Sequence, residues 1–147
     1  LDYPSVGGDS PDVPVTVEGE GVEYFRHHPS RMSGEGQNWI TCCGLKGAAT
    51  IRISLENDPN APKRPYTVRL HFAEIDAQPS GKRVFDVQIQ GANVLSGFDI
   101  ASEVGGPNLG ITKEFKQVEA GRELSIALTP VSGQPLLCGV EIVAEGW

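Results

Sequence analysis

Residues 66–91, YTVRLHFAEIDAQPSGKRVFDVQIQG, decide the fold of this chain. Apolar side chains occupy every second position in both halves of the stretch: Tyr66, Val68, Leu70 and Phe72, then Phe85, Val87 and Ile89. Successive side chains of a strand point to opposite faces, so this period of two predicts two strands joined by a polar turn. Each strand would turn its apolar face to a core.

The opposite faces of these two strands carry Arg69 and His71, then Asp86 and Gln88. Two interpretations are open. The polar face is hydrated or covered by a loop and held by cross-strand Arg–Asp or His–Asp pairs, or it contacts a polar ligand. We favour the first interpretation, because polar strand faces more often have a structural role.

Similar alternating segments recur along the chain between turns that contain glycine and proline. They span residues 13–18, 38–43, 49–55, 93–100, 111–118, 123–128 and 136–144. No segment has a convincing helical period over three turns, so no helix is predicted. Many short strands predict an all-β protein, a β-sandwich or jelly roll, in a single domain. This domain would span residues 15–147, after an extended arm or linker remnant at residues 1–14.

Charge and length exclude several classes of function. The chain has 147 residues and a net charge of -7, with scattered Lys and Arg residues. An acidic chain without a basic patch is a poor ligand for nucleic-acid phosphates. No apolar run approaches the roughly 20 residues of a membrane-spanning helix. The chain starts at Leu1 and shows no signal peptide, so we expect a mature protein or a module excised from a longer one.

The chain has three cysteines, Cys42, Cys43 and Cys138, so at least one lies outside any disulfide within the chain. If Cys42 and Cys43 lie in a strand, they point to opposite faces, one buried and one exposed. A bridge from either to Cys138 and a set of reduced, packed thiols both fit the sequence, and we favour the reduced thiols. The spacing of Cys and His fits no zinc pattern.

Motifs in the second half of the chain resemble the malectin family. They are LHFAEI at 70–75, RVFDVQIQG at 83–91, VLSGFDI at 94–100, ELSIALTP at 123–130 and LLCGVEIVAE at 136–145. The resemblance implies a galactose-binding-like β-sandwich that binds carbohydrate, in the family glucose-containing oligosaccharides, and lacks catalysis. It also implies a module of a larger secreted, periplasmic or cell-surface protein, and we expect this module to be monomeric.

Two positions depart from the family pattern. Malectin has sugar-stacking aromatic residues after the HFAE motif, where this chain has Ile75 and Asp76. Malectin also has a sugar-binding aspartate before the last strand, where this chain has Gly133. The resemblance therefore implies the fold, but not the glucose disaccharide site residue by residue.

A replacement sugar-binding platform is predicted in the first third of the chain. Sugars need flat apolar faces for their C–H groups and polar side chains for their hydroxyls, and residues 24–39 supply both. The predicted carbohydrate-binding residues are Tyr24, Phe25, Arg26, His27, His28, Arg31, Trp39 and Asp76. Alternatively, the aromatic residues of this platform close the core and the histidines cap a turn.

Two carboxylate clusters raise further hypotheses. Glu74 and Asp76 lie two residues apart, about 6.5 Å along a strand, which allows a small hydrolase with an acid and a nucleophile. The oxygen-rich segment at residues 56–60 allows a structural calcium, although a solvated loop explains it better. No other cofactor is predicted, because no nucleophile motif, phosphate loop or HExxH motif is present.

The sequence therefore predicts a non-catalytic module that binds oligo- or polysaccharide, of glucan type or another. The alternative is a protein-interaction or structural sandwich that has lost sugar binding, which the missing family aromatics favour.

Overall fold

A computed structural model of the chain describes residues 13–146. The predicted arm lies almost entirely outside the described residues, so the arm and the domain boundary stay predictions. In the described part the strands are β1 (Val15–Glu18), β2 (Glu23–Arg26), β3 (Ser33–Gly34), β4 (Cys43–Lys46), β5 (Ala49–Ser54), β6 (Arg64–Ala73), β7 (Val84–Ile89), β8 (Ala92–Phe98), β9 (Leu109–Ala120), β10 (Glu123–Ser132), β11 (Leu136–Leu137) and β12 (Gly139–Ala144). The helices are a 3-10 turn (Pro29–Arg31), α1 (Asn38–Thr41) and α2 (Ile100–Val104).

The strands form three sheets. The two main sheets have the strand orders β1-β5-β10-β7-β8 and β12-β6-β9-β3, and a smaller sheet has the order β11-β4-β2. Apart from the parallel pair of β3 with β9, neighbouring strands run antiparallel. This arrangement confirms the prediction of a single all-β sandwich.

The two strands of residues 66–91 lie in different main sheets, and their apolar faces meet in the core. The Phe72 ring of β6 lies 6.0 Å from the Phe85 ring of β7 and 4.8 Å from the Phe98 ring of β8, between centroids. The inward orientation predicted from alternation is therefore correct. The predicted pairing of Arg69 or His71 with Asp86 is wrong, because the two sheets separate them.

The outer face of β6 is instead held by glutamates from its true neighbours. The Arg69 guanidinium donates to Glu114 of β9 at 2.7 Å and to Glu141 of β12 at 3.4 Å. His71 Nε2 donates to Glu141 Oε1 at 2.6 Å, and its Nδ1 accepts from Thr112 at 3.1 Å. The polar side chains of this face are thus paired within the domain, as the favoured interpretation expected, although with different partners. Their bonds join β6 to β9 and β12.

The residue range 38–43 is not one strand as predicted. The first four of these residues form the helix α1, in which the N–H groups of Ile40 and Thr41 donate to the Gln37 carbonyl. Strand β4 starts only at Cys43, so the strand-alternation argument does not apply to the cysteine pair. Cys42 and Cys43 are both buried, and with Cys138 they are free thiols. Burial raises the pKa of the Cys42 and Cys138 thiols, which makes them poor nucleophiles.

The predicted strand at residues 93–100 ends earlier, at Phe98. Asp99 caps α2 by accepting from the Ser102 N–H at 3.3 Å, and Gly105 ends the helix with a φ of 76°. The sequence does not predict α1 or α2, because neither helix is long enough to show a helical period.

The core contact between the sheets leads to a stability prediction. Phe72→Ala leaves a cavity at a fully buried position and should lower the free energy of unfolding by about 3–5 kcal/mol. Urea unfolding followed by fluorescence measures this loss. Val131→Ala, at a side chain that is mostly exposed, is the control and should change stability by less than about 0.5 kcal/mol. Equal effects of the two substitutions would contradict this core.

Candidate functional site

A groove of about 670 Å³ opens between the two main sheets on the side where β1 and β12 form their edges. Its walls are apolar and come from both sheets: Val15, Val17, Ile53, Val140 and Ile142. Strand β12 runs along the groove from Gly139, which contacts Ile40 of α1, to Ala144, which pairs with Tyr66. The groove therefore has one end at α1 and the small sheet and the other at Tyr66.

Two aromatic side chains line the groove at the α1 end. Tyr24 lies on β2 opposite Leu45, and it is 63% exposed. Trp39 lies in α1, half-buried, and its indole N–H donates to the side chain of Gln37. Tyr24 and Trp39 come from different elements but line the same groove. Two of the predicted aromatic residues therefore line one groove, and their role in binding sugar stays a prediction.

Strand alternation separates the remaining aromatic residue from them. Arg26 shares the Tyr24 face of β2, because the two residues are two positions apart. Phe25 lies on the other face, opposite Gly44, and is half-buried against the core. Its ring lies 6.0 Å from that of His27. Neither Phe25 nor His27 lines the groove.

The histidine cluster is held by local hydrogen bonds. Arg31 donates to His27 Nδ1 at 3.2 Å. His28 caps the 3-10 turn, because its Nδ1 accepts from the Ser30 N–H at 3.3 Å. The alternative interpretation, in which a histidine caps a turn, therefore describes His28.

Asp76 lies apart from the groove in a network of charged side chains. Its carboxylate accepts from Lys46 at 3.0 Å and from Arg83 at 2.9 Å. Burial alone would raise the pKa of Asp76, but Lys46 and Arg83 outweigh it, so the pKa lies below its ordinary value. Asp76 does not line the groove, so it does not belong to the same candidate site as Tyr24 and Trp39.

A buried ion pair lies beneath Asp76. Glu74 and Arg83 are 1% and 4% exposed, and Arg83 Nε donates to Glu74 Oε2 at 2.6 Å. A second bond joins Arg83 Nη2 to Glu74 Oε1 at 3.2 Å, and Nη1 donates to the Gln134 carbonyl at 2.6 Å. A carboxylate that is buried and bonded through both oxygens is not placed to protonate a substrate. The geometry therefore opposes the hydrolase hypothesis.

The sequence itself indicates this pair, because both charged residues stand at inward positions of their strands. Glu74 follows Leu70 and Phe72 in the inward phase of β6, and Arg83 precedes Phe85 in the inward phase of β7. An inward charge is stable only when it is paired, so each predicts the other as a partner. The pair occupies the region where the family departures, Asp76 and the segment before β11, come together.

The oxygen-rich segment at residues 56–60 is closed by a local hydrogen bond. Asp58 accepts from the Asn60 N–H at 2.9 Å and so closes its own turn. Within residues 13–146, no three His, Cys, Asp or Glu side chains are grouped to hold a metal ion. The same residues contain no helix with the length and apolarity needed to cross a membrane.

The strand orders and the stacked apolar faces define a galactose-binding-like β-sandwich. A family model described as the malectin domain matches residues 59–140. The match covers more than half of the chain, and the chain belongs to this family. The resemblance that the motifs suggested is therefore confirmed.

Relatives of the chain include receptor-like proteins of Arabidopsis thaliana. Receptor-like protein 4 is 40% identical over 85 residues, which are 56% of this chain and 13% of that protein. A probable receptor-like protein kinase is 35% identical over 105 residues, which are 67% of this chain and 12% of that protein. The chain thus spans only about an eighth of the curated relatives that it matches.

Solved structures share the fold. The extracellular domain of ANXUR1 from Arabidopsis thaliana aligns with a TM-score of 0.71 and 17% identity, over 88% of this chain and 40% of that one. A β-glucuronidase from Bacteroides uniformis aligns with a TM-score of 0.68 and 16% identity, over 98% of this chain and 15% of that one. At this identity the alignments show a common fold and nothing about activity.

The Glu74–Arg83 pair gives a prediction on stability. Arg83→Met leaves the Glu74 carboxylate buried without a partner and should cost about 3–5 kcal/mol of unfolding free energy. The double variant Glu74→Leu/Arg83→Met removes both charges and should lose clearly less than the single variant. Urea unfolding of the three proteins measures the difference. A single variant that matches wild type would contradict a buried ion pair.

Asp76 gives a prediction on pH dependence. Its pKa is lowered in the folded protein, so it stabilises the fold above the unfolded pKa of about 3.9, and this contribution is lost as the pH falls through the folded pKa. Asp76→Asn should therefore lower the melting temperature at pH 7, and the difference from wild type should shrink below about pH 4. Thermal melts over this range measure it, with Glu20→Gln in an exposed turn as the control. A difference that stays constant with pH would contradict the ionic role of Asp76.

Proposed function

We propose that this domain is a non-catalytic carbohydrate-binding module, appended to a larger secreted, periplasmic or cell-surface protein. The saccharide binds at the α1 end of the groove, against Tyr24 and Trp39. The observation that carries the proposal is that two aromatic side chains from separate elements line the same end of one groove. Aromatic faces pack on sugar C–H groups, and a shared groove lets two rings contact one ligand.

Polar groups near these rings supply the hydrogen bonds that a sugar needs. Arg26 lies on the Tyr24 face of β2, and its guanidinium suits paired hydroxyls. Glu141 pairs with His71 and Arg69 on the outer face of β12, so it is not part of the proposed site. The proposed site therefore keeps Tyr24 and Trp39, which line the groove, and Arg26, which does not line it but shares the Tyr24 face of β2. The remaining predicted residues lie outside it.

Two observations support a binding role without catalysis. Glu74 is bonded to Arg83 through both carboxylate oxygens, and Asp76 is shared between Lys46 and Arg83. Neither carboxylate faces the groove. The receptor-like relatives and the extracellular domain of ANXUR1 support an appended extracellular module.

Affinity electrophoresis in gels that contain soluble β-glucan, starch or xylan tests the proposal. The wild type should be retarded by at least one polymer, with glucans expected first. Tyr24→Ala and Trp39→Ala should each weaken binding about tenfold, which corresponds to about 1.4 kcal/mol for a lost ring face. Tyr24→Phe keeps the ring and should retain binding.

Val131→Ala is the matched surface control and should leave the retardation unchanged. Retardation that survives both alanine substitutions would place the sugar elsewhere on the domain. A wild type that no polysaccharide retards would contradict the proposed function.

A further inference from the structure

The groove extends well beyond the aromatic pair, and this part has a different character. Between Tyr24 and Trp39 at one end and Tyr66 at the other, its walls are aliphatic, formed by Val15 and Ile53 on one side and Val140 and Ile142 on the other. Val15 is 53% exposed. An aliphatic surface that stays open to solvent in a folded domain is typical of an interaction site. Aliphatic walls offer no flat ring for a sugar, so the saccharide site does not account for them.

The backbone beside the groove belongs to two edge strands. Among residues 13–146, β12 is the edge of its sheet and pairs only with β6, and β1 is the edge of the facing sheet. An edge strand presents hydrogen-bonding groups that an extended segment from another protein is able to pair with. The paired part of β12 has six residues and is therefore about 20 Å long. This length suits a short added strand.

The side chains of β12 specify what such a strand must carry. Val140 and Ile142 face the groove, so one face of the added strand must be apolar. On the outer face Glu141 bonds to His71 and Arg69, and Glu145 bonds to Thr67. An added strand would lay its outward side chains beside these two glutamates. Opposite charges on neighbouring strands stabilise a pair, so the outward side chains should be basic.

Charge also excludes other occupants of the groove. Among residues 13–146 the groove lining includes the charged side chain of Glu56 and no Lys or Arg, and Glu141 lies beside it with its carboxylate on the outer face of β12. A second copy of this chain would bring the same acidic residues against them. An anionic membrane surface would be repelled in the same way by a chain with a net charge of -7.

We propose that the β12 edge of the groove binds an extended strand from a partner protein, with apolar side chains on one face and Lys or Arg on the other. The apolar side chains fill the space between Val15 and Val140. The basic side chains lie outside, beside Glu141 and Glu145. This site is separate from the saccharide site at Tyr24 and Trp39, although both belong to one groove.

Short synthetic peptides test the proposal by fluorescence anisotropy on the whole domain. A peptide that alternates valine and lysine should bind saturably. A peptide that alternates serine and lysine keeps the charge, and one that alternates valine and glutamate keeps the apolar face. Each of these should bind at least about tenfold more weakly. Equal binding of the serine–lysine peptide would overturn the proposal, since only bulk charge would be involved.

A pair of variants locates the site. Val15→Lys places a cation in the groove wall and should weaken the valine–lysine peptide about tenfold, whereas Val131→Lys adds the same charge at a side chain outside the groove. The control should alter the affinity less than twofold. Hydrogen exchange should slow at β12 on binding and stay unchanged at β8, the far edge of the other sheet. Equal effects of the two variants, or protection at β8 instead of β12, would overturn the proposed site.

Discussion

The contact between the inward faces of β6 and β7 holds this domain together. These strands belong to different sheets, and their phenylalanines meet in the core with the ring of Phe98. At the end of this contact the apolar packing gives way to the Glu74–Arg83 pair, which joins the same two strands. A buried pair of this kind is strongly destabilising to break, because the remaining charge has no solvent. The pair therefore fixes the position of the chain around Asp76, where other family members contact sugar.

The position of the groove follows from the same arrangement. Strands β6 and β7 lie inside their sheets, so the apolar layer between them is closed. Strands β1 and β12 lie at the edges, and the layer between them opens to solvent. The small sheet of β2, β4 and β11 and the helix α1 close one end of this opening and bring Tyr24 and Trp39 to it. The groove thus opens between the edge strands of the two main sheets, while the region around Asp76 is filled by ion pairs.

The sequence predicts the fold well because burial imposes a period of two on every core strand. Alternation predicts that Val68, Leu70 and Phe72 share the inward face of one strand, and in the structure all three are fully buried. The period of two does not show which strands are neighbours in a sheet. The sequence therefore predicted Asp86 as the partner of Arg69 and His71, whereas the actual partners are Glu114 and Glu141. The short helix α1 was read as a strand for a related reason, because four residues are too few to show a helical period. For the candidate site, residue type indicated Tyr24, Phe25 and Trp39 alike, and only the strand geometry of β2 separates Tyr24 from Phe25.

We propose that saccharide binds at the aromatic end of the groove and not at the charged network around Asp76. Isotope-labelled protein, titrated with an oligosaccharide of the polymer that retards it and followed by nuclear magnetic resonance, distinguishes the two positions. The indole N–H signal of Trp39 and the backbone amide of Tyr24 should shift in proportion to occupancy, while the amides of Asp76 and Arg83 stay in place. Shifts confined to Asp76, Arg83 and Lys46 would contradict it and return the site to the position used by malectin.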